Sequence, residues 1–241
     1  MALIINCDMG EGYGLYKMGD DAGIMPYITV ANVACGFHAS DPMVMRRTVK
    51  LAKQHGVKVG AHPSLPDRQG FGRREMKMPR EELSAFVLYQ VGALKAFLDA
   101  EGMPLNHIKP HGALYGMAAR DEKVAHAICD AAETYGVALM GMAGTLHEKI
   151  YRERGLPFLA EFYVDLEYDK NGGLIITREH EAVDPGHAVE RTLRALKEGK
   201  VRSTDGIDIP MRADCVCVHS DTPGAVELAR AVHEALKRML N

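Results

Sequence analysis

No basic leader or apolar signal stretch opens the chain, whose first residues, MALIINCDMGEG, already reach a carboxylate at Asp8. A cytoplasmic protein is expected. Long uncharged runs are scarce too: the longest stretch free of Asp, Glu, Lys and Arg is Ala22 to Ser40, and Pro26, Asn32, Gly36 and His38 interrupt it. It reads as a buried strand with its loop, so no membrane partner is expected. Cysteines number five, odd and sparse for 241 residues, which fits reduced thiols rather than a disulfide framework. A CxxC pair is absent, and Cys215-Val216-Cys217 reads as strand filling, since free cysteine usually behaves as a small hydrophobe. The formal net charge is -3 and the pI near 6.4, with Lys and Arg scattered and no basic stripe, so nucleic acid and anionic lipid lack an electrostatic footprint. Neither GxGxxG, nor GxxxxGK followed by Ser or Thr, nor HExxH occurs. If ATP drives the chemistry, its phosphates are therefore expected to be held elsewhere or on another chain.

What is present is alternation. The β-rich runs LIINCD, YITVANVAC, VKVGAHP, NHIKPH, VALMGMA, LAEFYVDL and CVCVHS are separated by helical patterns, with no linker, low-complexity segment or internal repeat. In PREELSAFVLYQVGALKAFLDAEG, Leu83, Phe86, Val87, Gln90, Leu94, Phe97 and Leu98 follow helical spacing with one polar member. Further helices are expected near Asp41-Pro42, Asp121, Asp184-Pro185 and Thr222-Pro223, where capping residues precede acidic or proline openings. Regular alternation predicts parallel strands joined by right-handed crossovers, in a closed barrel or a doubly wound sheet. The length suits one α/β barrel domain over residues 1–241. Closure is favoured because Asp8, His38, His62, Lys109 with His111, Asp165 and His219 fall at or just past the C-terminal ends of six strands. Only a barrel brings all those ends to one mouth.

Asn6 and Asp8 share one strand face and Glu11 follows on a glycine-rich turn, so an amide and two acids approach the mouth from the first strand. Lys109 stands at every-second-residue spacing with His107 and His111. A lysine at a barrel mouth either stays cationic to stabilise an oxyanion or becomes a base through burial, and nearby Asp8 and Glu11 favour the cation. Replacing it by Met is expected to lower turnover far more than stability. A neutral histidine takes a proton from water while Asp8 orients it. Cys35, among small neighbours, reads as packing rather than nucleophile. Asp8, His38, His62 and His111 also make a ligand set suited to zinc or another divalent ion, although their spacing is not diagnostic.

The motifs NCDMGE, ANVACGFHASD, GAHPSLPDRQGFGRR and IKPHGALY, in that order, resemble the LamB/YcsF family, the A component of ATP-dependent 5-oxoprolinase. The resemblance is strong from residue 4 to about 145 and looser through CVHSDTPGAVELAR. It implies a distorted seven-stranded β/α barrel of the glycoside hydrolase and deacetylase type, ring opening of 5-oxoproline to glutamate at ATP's expense, and separate B and C subunits; a homo-oligomer is left open. Carried over by position, it marks Asp8, Glu11, Asn32, His38, His62, Asp67, Arg73, Lys109, His111 and Tyr115. Lys109 and a histidine would polarise the lactam carbonyl or its phosphorylated form, Asp8 with His38 or His62 would activate water, and Asn6, Glu11, Asn32, Asp67, Arg73 and Tyr115 would contact substrate. The rivals are a metal-dependent deacetylase-like hydrolase and a non-catalytic substrate-binding component. Where relatives resemble FADR followed by Tyr, this chain reads YVDLEY, so Leu166 replaces an arginine. Either Arg73, Arg74 or Arg178 substitutes for that cation, or the substrate is a lactam without the carboxylate. Leu166 is expected to turn away from the mouth or cap the strand end.

Overall fold

A computed structural model describes residues 4–177 and 179–240. All seven expected strands form: β1 (Ile4–Met9), β2 (Val30–Ala34), β3 (Lys58–His62), β4 (Leu105–Ile108), β5 (Ala138–Gly141) and β6 (Phe158–Tyr163) lie side by side in chain order. A hairpin not foreseen from the sequence, β7 (Lys200–Arg202) with β8 (Asp208–Pro210), comes next. Then β9 (Cys215–His219) pairs in parallel with both β6 and β1 and closes the barrel. Closure decides between the two architectures that alternation allowed.

Around the barrel run α1 (Asp21–Ile24), α2 (Pro42–His55), α3 (Arg80–Ala100), α4 (Gly112–Ala118), α5 (Glu122–Tyr135), α6 (Leu146–Glu153), α7 (Pro185–Glu198) and α8 (Ala225–Leu240). Asp41, Asp121 and Asp184 cap α2, α5 and α7 with their side chains, satisfying amides that have no partner inside the helix. By length and composition α3 is apolar enough to cross a membrane, but here it lays Leu83, Val87, Val91, Leu94 and Leu98 into the barrel's outer layer. Phe86 and Phe97 of the expected stripe are only half-buried. Gln90, the polar member of the stripe, accepts from the Ser64 amide and donates to the Ser64 carbonyl, at 2.9 and 2.8 Å. It anchors the loop after β3, which carries Asp67, Phe71 and Arg73.

Inside the barrel the filling is polar. Asn32 donates to Asn6 Oδ1 (2.7 Å) and Asp8 Oδ1 (2.8 Å), leaving its own oxygen to accept from His107 Nε2 at 2.7 Å. The His107 ring fits because residue 60 is glycine; a Cβ there would overlap the imidazole, and the β3–β4 register shifts at this level. Overpacking a barrel interior typically costs about 1–3 kcal/mol. Gly60→Ala is therefore expected to lower the melting temperature measurably, and an unchanged melt would show that His107 repacks freely.

Candidate active site

Parallel pairing sets the first layer of the mouth. Asp8 stands opposite Asn32 on β2 and His219 on β9, and His62 ends β3 opposite Ala34. Because alternate residues face inward, Asp8, Lys109, Glu161 and Cys217 meet on the barrel axis beside Asn6 and Asn32, with Asp8 in register with Asn32 and Cys217 with Asn6. The Lys109 ammonium lies 2.9 Å from Asp8 Oδ1, 3.1 Å from Glu161 Oε1 and 3.0 Å from Cys217 Sγ, and it is 1 % exposed. Burial opposes its charge, but the carboxylates of Asp8 and Glu161 outweigh that and hold it well above the ordinary lysine range. Asp8 is likewise opposed by burial, yet His62 and Lys109 keep its carboxyl well below the usual range. Tyr163 donates to the other Glu161 oxygen at 2.7 Å. The ammonium's donors are thus committed within the protein, and its influence on a ligand is that of a fixed positive charge.

The free Asp8 oxygen faces two imidazoles, with His62 Nε2 at 3.2 Å and His219 Nε2 at 3.6 Å. His219 is backed by Asp165, which lies 2.8 Å from its Nδ1 and accepts its amide. Against the opposition of burial, the Asp165 charge raises the His219 pKa. Behind His62 sits a second group. His111 Nδ1 is 2.9 Å from His62 Nε2, His38 Nε2 is 3.0 Å from Glu11 Oε1, and the His38 and His111 rings stack at 3.8 Å. Burial, then the neighbouring histidine, pushes the pKa of His38 well down, while burial and then Asp8 push Glu11 well up.

A cavity of about 30 Å³ opens onto Asp8, Lys109, His62 and His219, with Leu166, Leu174 and Ile176 forming an apolar wall. That space suits water rather than a lactam ring. A larger hollow of about 440 Å³ adjoins it and shares Arg73, Leu174 and Ile176.

Of the residues marked by the sequence, Asn6, Asp8, Glu11, Asn32, His38, His62, Lys109 and His111 converge within this network. Tyr115 and Arg73 line the cavity; Arg73 donates to Asp221 at 2.8 Å and lies 3.1 Å from His180 Nε2. Asp67 faces elsewhere: it accepts from Gly70 N and Arg74 Nε, both at 2.9 Å, and shapes the loop that presents Phe71 and Arg73. Of the two expectations for Leu166, turning away from the mouth does not hold: past the end of β6 it is part of the cavity wall. Its backbone, not its side chain, meets a cation: Arg191 donates to its carbonyl from outside. Among the substitutes for the missing arginine, Arg73 is at the cavity, Arg74 is tied to Asp67, and Arg178 lies outside the described residues. All five thiols are free and buried, and desolvation pushes Cys35 up to about 12, as its packing role requires.

Sequence reading passed over Glu161 and Cys217 as partners of Lys109, and over His180 and Asp221. Inward alternation along β6 and β9 was the available signal for the first two; His180 belongs to no strand and carried none.

Residues 3–240 match the model of the LamB/YcsF family. A lactam utilization protein from Emericella nidulans is 47% identical over 237 residues, covering 97% of this chain and 93% of that one. The A subunit of 5-oxoprolinase from Chloroflexus aggregans is 46% identical over 241 residues, 98% and 96% of the two chains. The crystal structure of a lactam utilization protein from Thermus thermophilus superposes with a TM-score of 0.92 at 46% identity, covering 99% of this chain and 97% of that one.

Proposed function

Because the chain belongs to the LamB/YcsF family, we propose that it is a cyclic-amide hydrolase serving as the A-type component of an ATP-dependent 5-oxoprolinase. The names of its relatives support 5-oxoproline and lactam utilization, and the naming of one of them as an A subunit supports a complex with further chains. In this reading, B- and C-type partners handle ATP, consistent with the missing phosphate-cradling loop. Phosphorylating the lactam oxygen would turn a poor electrophile into a reactive one.

The observation that carries the reading is the charge order around Asp8. One oxygen is saturated by Lys109 and Asn32, and the other faces His62, His219 and the cavity. A carboxylate kept ionised beside an imidazole can take the proton of an attacking water. His219, whose proton affinity Asp165 raises, faces the developing oxyanion, with Lys109 as a fixed charge below. Water adds to the carbon bearing the phosphorylated oxygen, the C–N bond breaks as the ring nitrogen takes up a proton, and hydrolysis of the resulting acyl phosphate releases inorganic phosphate and the amino acid's carboxylate. Arg73, at the cavity edge, replaces the arginine lost at position 166 as the cation nearest a substrate carboxylate.

The test compares 5-oxoproline with 2-pyrrolidone, which lacks the carboxylate, in the complex reconstituted with B- and C-type partners. Wild type is expected to open 5-oxoproline, and Leu166→Arg to increase its preference over 2-pyrrolidone. Absence of lactam opening by the full complex rejects the function. A preference unmoved by Leu166→Arg rejects the role of the 166 position in specificity.

A further inference from the structure

We infer that Glu11, His38, His62 and His111 form a binding site for one divalent first-row transition ion of the zinc type. One donor atom from each lies within 4.8 Å of all the others, and all four residues are buried. They come from four different segments: the turn after β1, the loop after β2, the end of β3 and the start of α4. Unlike the set drawn from the sequence, this one contains Glu11; Asp8 keeps one oxygen on Lys109 and turns the other toward His62 Nε2 at 3.2 Å.

The hydrogen bonds on the outer sides of two rings fix what their inner sides present. His62 Nδ1 lies 2.7 Å from the Lys109 carbonyl, and His111 Nε2 lies 2.7 Å from the Phe71 carbonyl. Carbonyl oxygens only accept, so each of those nitrogens carries the hydrogen. In the neutral rings, His62 Nε2 and His111 Nδ1 are then bare, and they face one another at 2.9 Å. Glu11 Oε1 is 3.5 Å from His111 Nδ1, and Asp8 Oδ2 is 3.2 Å from His62 Nε2, so further acceptors crowd the same space. Lone pairs converging at these distances need a positive centre between them. A single proton on His62 reaches one or two of these acceptors; a divalent ion reaches all four donors. Histidine ligands held on their far side by backbone carbonyls are the usual second layer of a metal centre.

Two more features point the same way. Phe71 sits at φ 53°, a left-handed conformation costly for a residue with a side chain, and its carbonyl is the one that orients His111. His38 Nδ1 is buried without a hydrogen-bond partner among the described residues, so nothing on its far side prevents Nε2 from turning its lone pair inward. Donors on a tetrahedral ion with bonds of about 2.0–2.1 Å are about 3.4 Å apart; three of the donor pairs here stand 2.9, 3.0 and 3.5 Å apart, and all lie within 4.8 Å. Three imidazoles and a carboxylate suit zinc, cobalt or iron better than calcium or magnesium, which prefer oxygen. The second convergent group, Asp8 with Cys217 and His219, is ruled out by its own tenant, the Lys109 ammonium at 2.9 Å from Asp8 and 3.0 Å from Cys217.

The experiment strips the full chain with chelator, dialyses it against Co²⁺ or Zn²⁺, and reads stoichiometry by elemental analysis and Co²⁺ coordination by visible absorption. One ion per chain is expected, with an intense Co²⁺ band that Zn²⁺ abolishes. Glu11→Gln, which keeps the side-chain volume, and His111→Ala should each weaken binding about 100-fold or more, given that even outer-layer changes cost 10–100-fold. His233→Ala, at an imidazole bonded to the Tyr27 carbonyl outside the site, should leave binding unchanged. Circular dichroism confirms that each variant is folded. Wild-type protein that retains no stoichiometric ion, or binding indifferent to both ligand variants, overturns the site and leaves a shared proton as its occupant. The reading does not rest on lactam hydrolysis: a chain that binds the ion but opens no lactam refutes only the proposed function.

Discussion

Lys109→Met is expected to lower the melting temperature by about 6–20 °C and kcat by about 10²–10³-fold. Breaking a buried ion pair from one side typically costs 3–5 kcal/mol, because the remaining charge is left uncompensated, and for a chain of this size each kcal/mol shifts the melt by about 2–4 °C. Here two carboxylates, Asp8 and Glu161, lose the same cation. Loss of a charge that stabilises an oxyanion accounts for the kinetic part. Strand alternation alone led to an expectation of a mainly kinetic defect. The structure adds the stability defect, since a residue 1 % exposed between two acids is part of the barrel's filling as well as its site. The two roles separate in the double variant Lys109→Met/Glu161→Gln, which removes one orphaned charge. Part of the melting temperature should return while turnover stays low. A single variant that melts like wild type would show that the ammonium does not hold the two acids together.

Lowering the pH of the metal-free protein from 7 to 4.5 should remove about 5 kcal/mol of stability through two histidines outside the ion site. His107 and His147 are fully buried, and each ring is held neutral by a donor on one side and an acceptor on the other. His107 Nε2 donates to Asn32 Oδ1 and its Nδ1 accepts from Asn106; His147 Nε2 donates to the Tyr115 carbonyl and its Nδ1 accepts from the Met142 amide. Burial, before any neighbouring charge, takes both pKa values down from 6.5 to about 3. The unfolded chain binds these protons below about pH 6.5, whereas the folded chain refuses them until about pH 3. Stability therefore falls with pH across that window, by up to about 1.4 kcal/mol per unit for each ring. His38 and His111, also depressed by burial, act in the same direction. His219 acts in the opposite one: its pKa is raised, so its contribution is complete below pH 6.5 and is lost as the pH climbs through its folded value. Denaturant titrations at pH 7 and 4.5 measure the sum. His147→Gln, which keeps one donor and one acceptor, should remove about half of the two-ring slope. Equal stability at both pH values would show that these rings take up protons in the folded state.

Local chemistry in the sequence determined the alternation of elements, because a period near 3.6 and a period of 2 are written in which residues are apolar, and capping residues mark their own helices. Asp41, Asp121 and Asp184 could be read that way, and so could all seven barrel strands. The hairpin of β7 and β8 was not legible: its strands of three residues are too short to show a period, and Asp205-Gly206 sits inside a loop longer than the two-residue turn for which that pair is diagnostic. The gathering of Asp8, His62, Lys109 and His111 at one mouth also followed from the sequence, since parallel strands place equivalent positions at the same end. Which of those residues touch was decided only by the closed barrel. A strand pattern says that a side chain faces inward, not what faces it across the axis, so Glu161 and Cys217 emerged as partners of Lys109 only when β6 and β9 came round to meet β1. Likewise, Glu11 rather than Asp8 joins His38, His62 and His111 in one cluster of donors. That is a matter of distances across the barrel, and separation along the chain does not encode it.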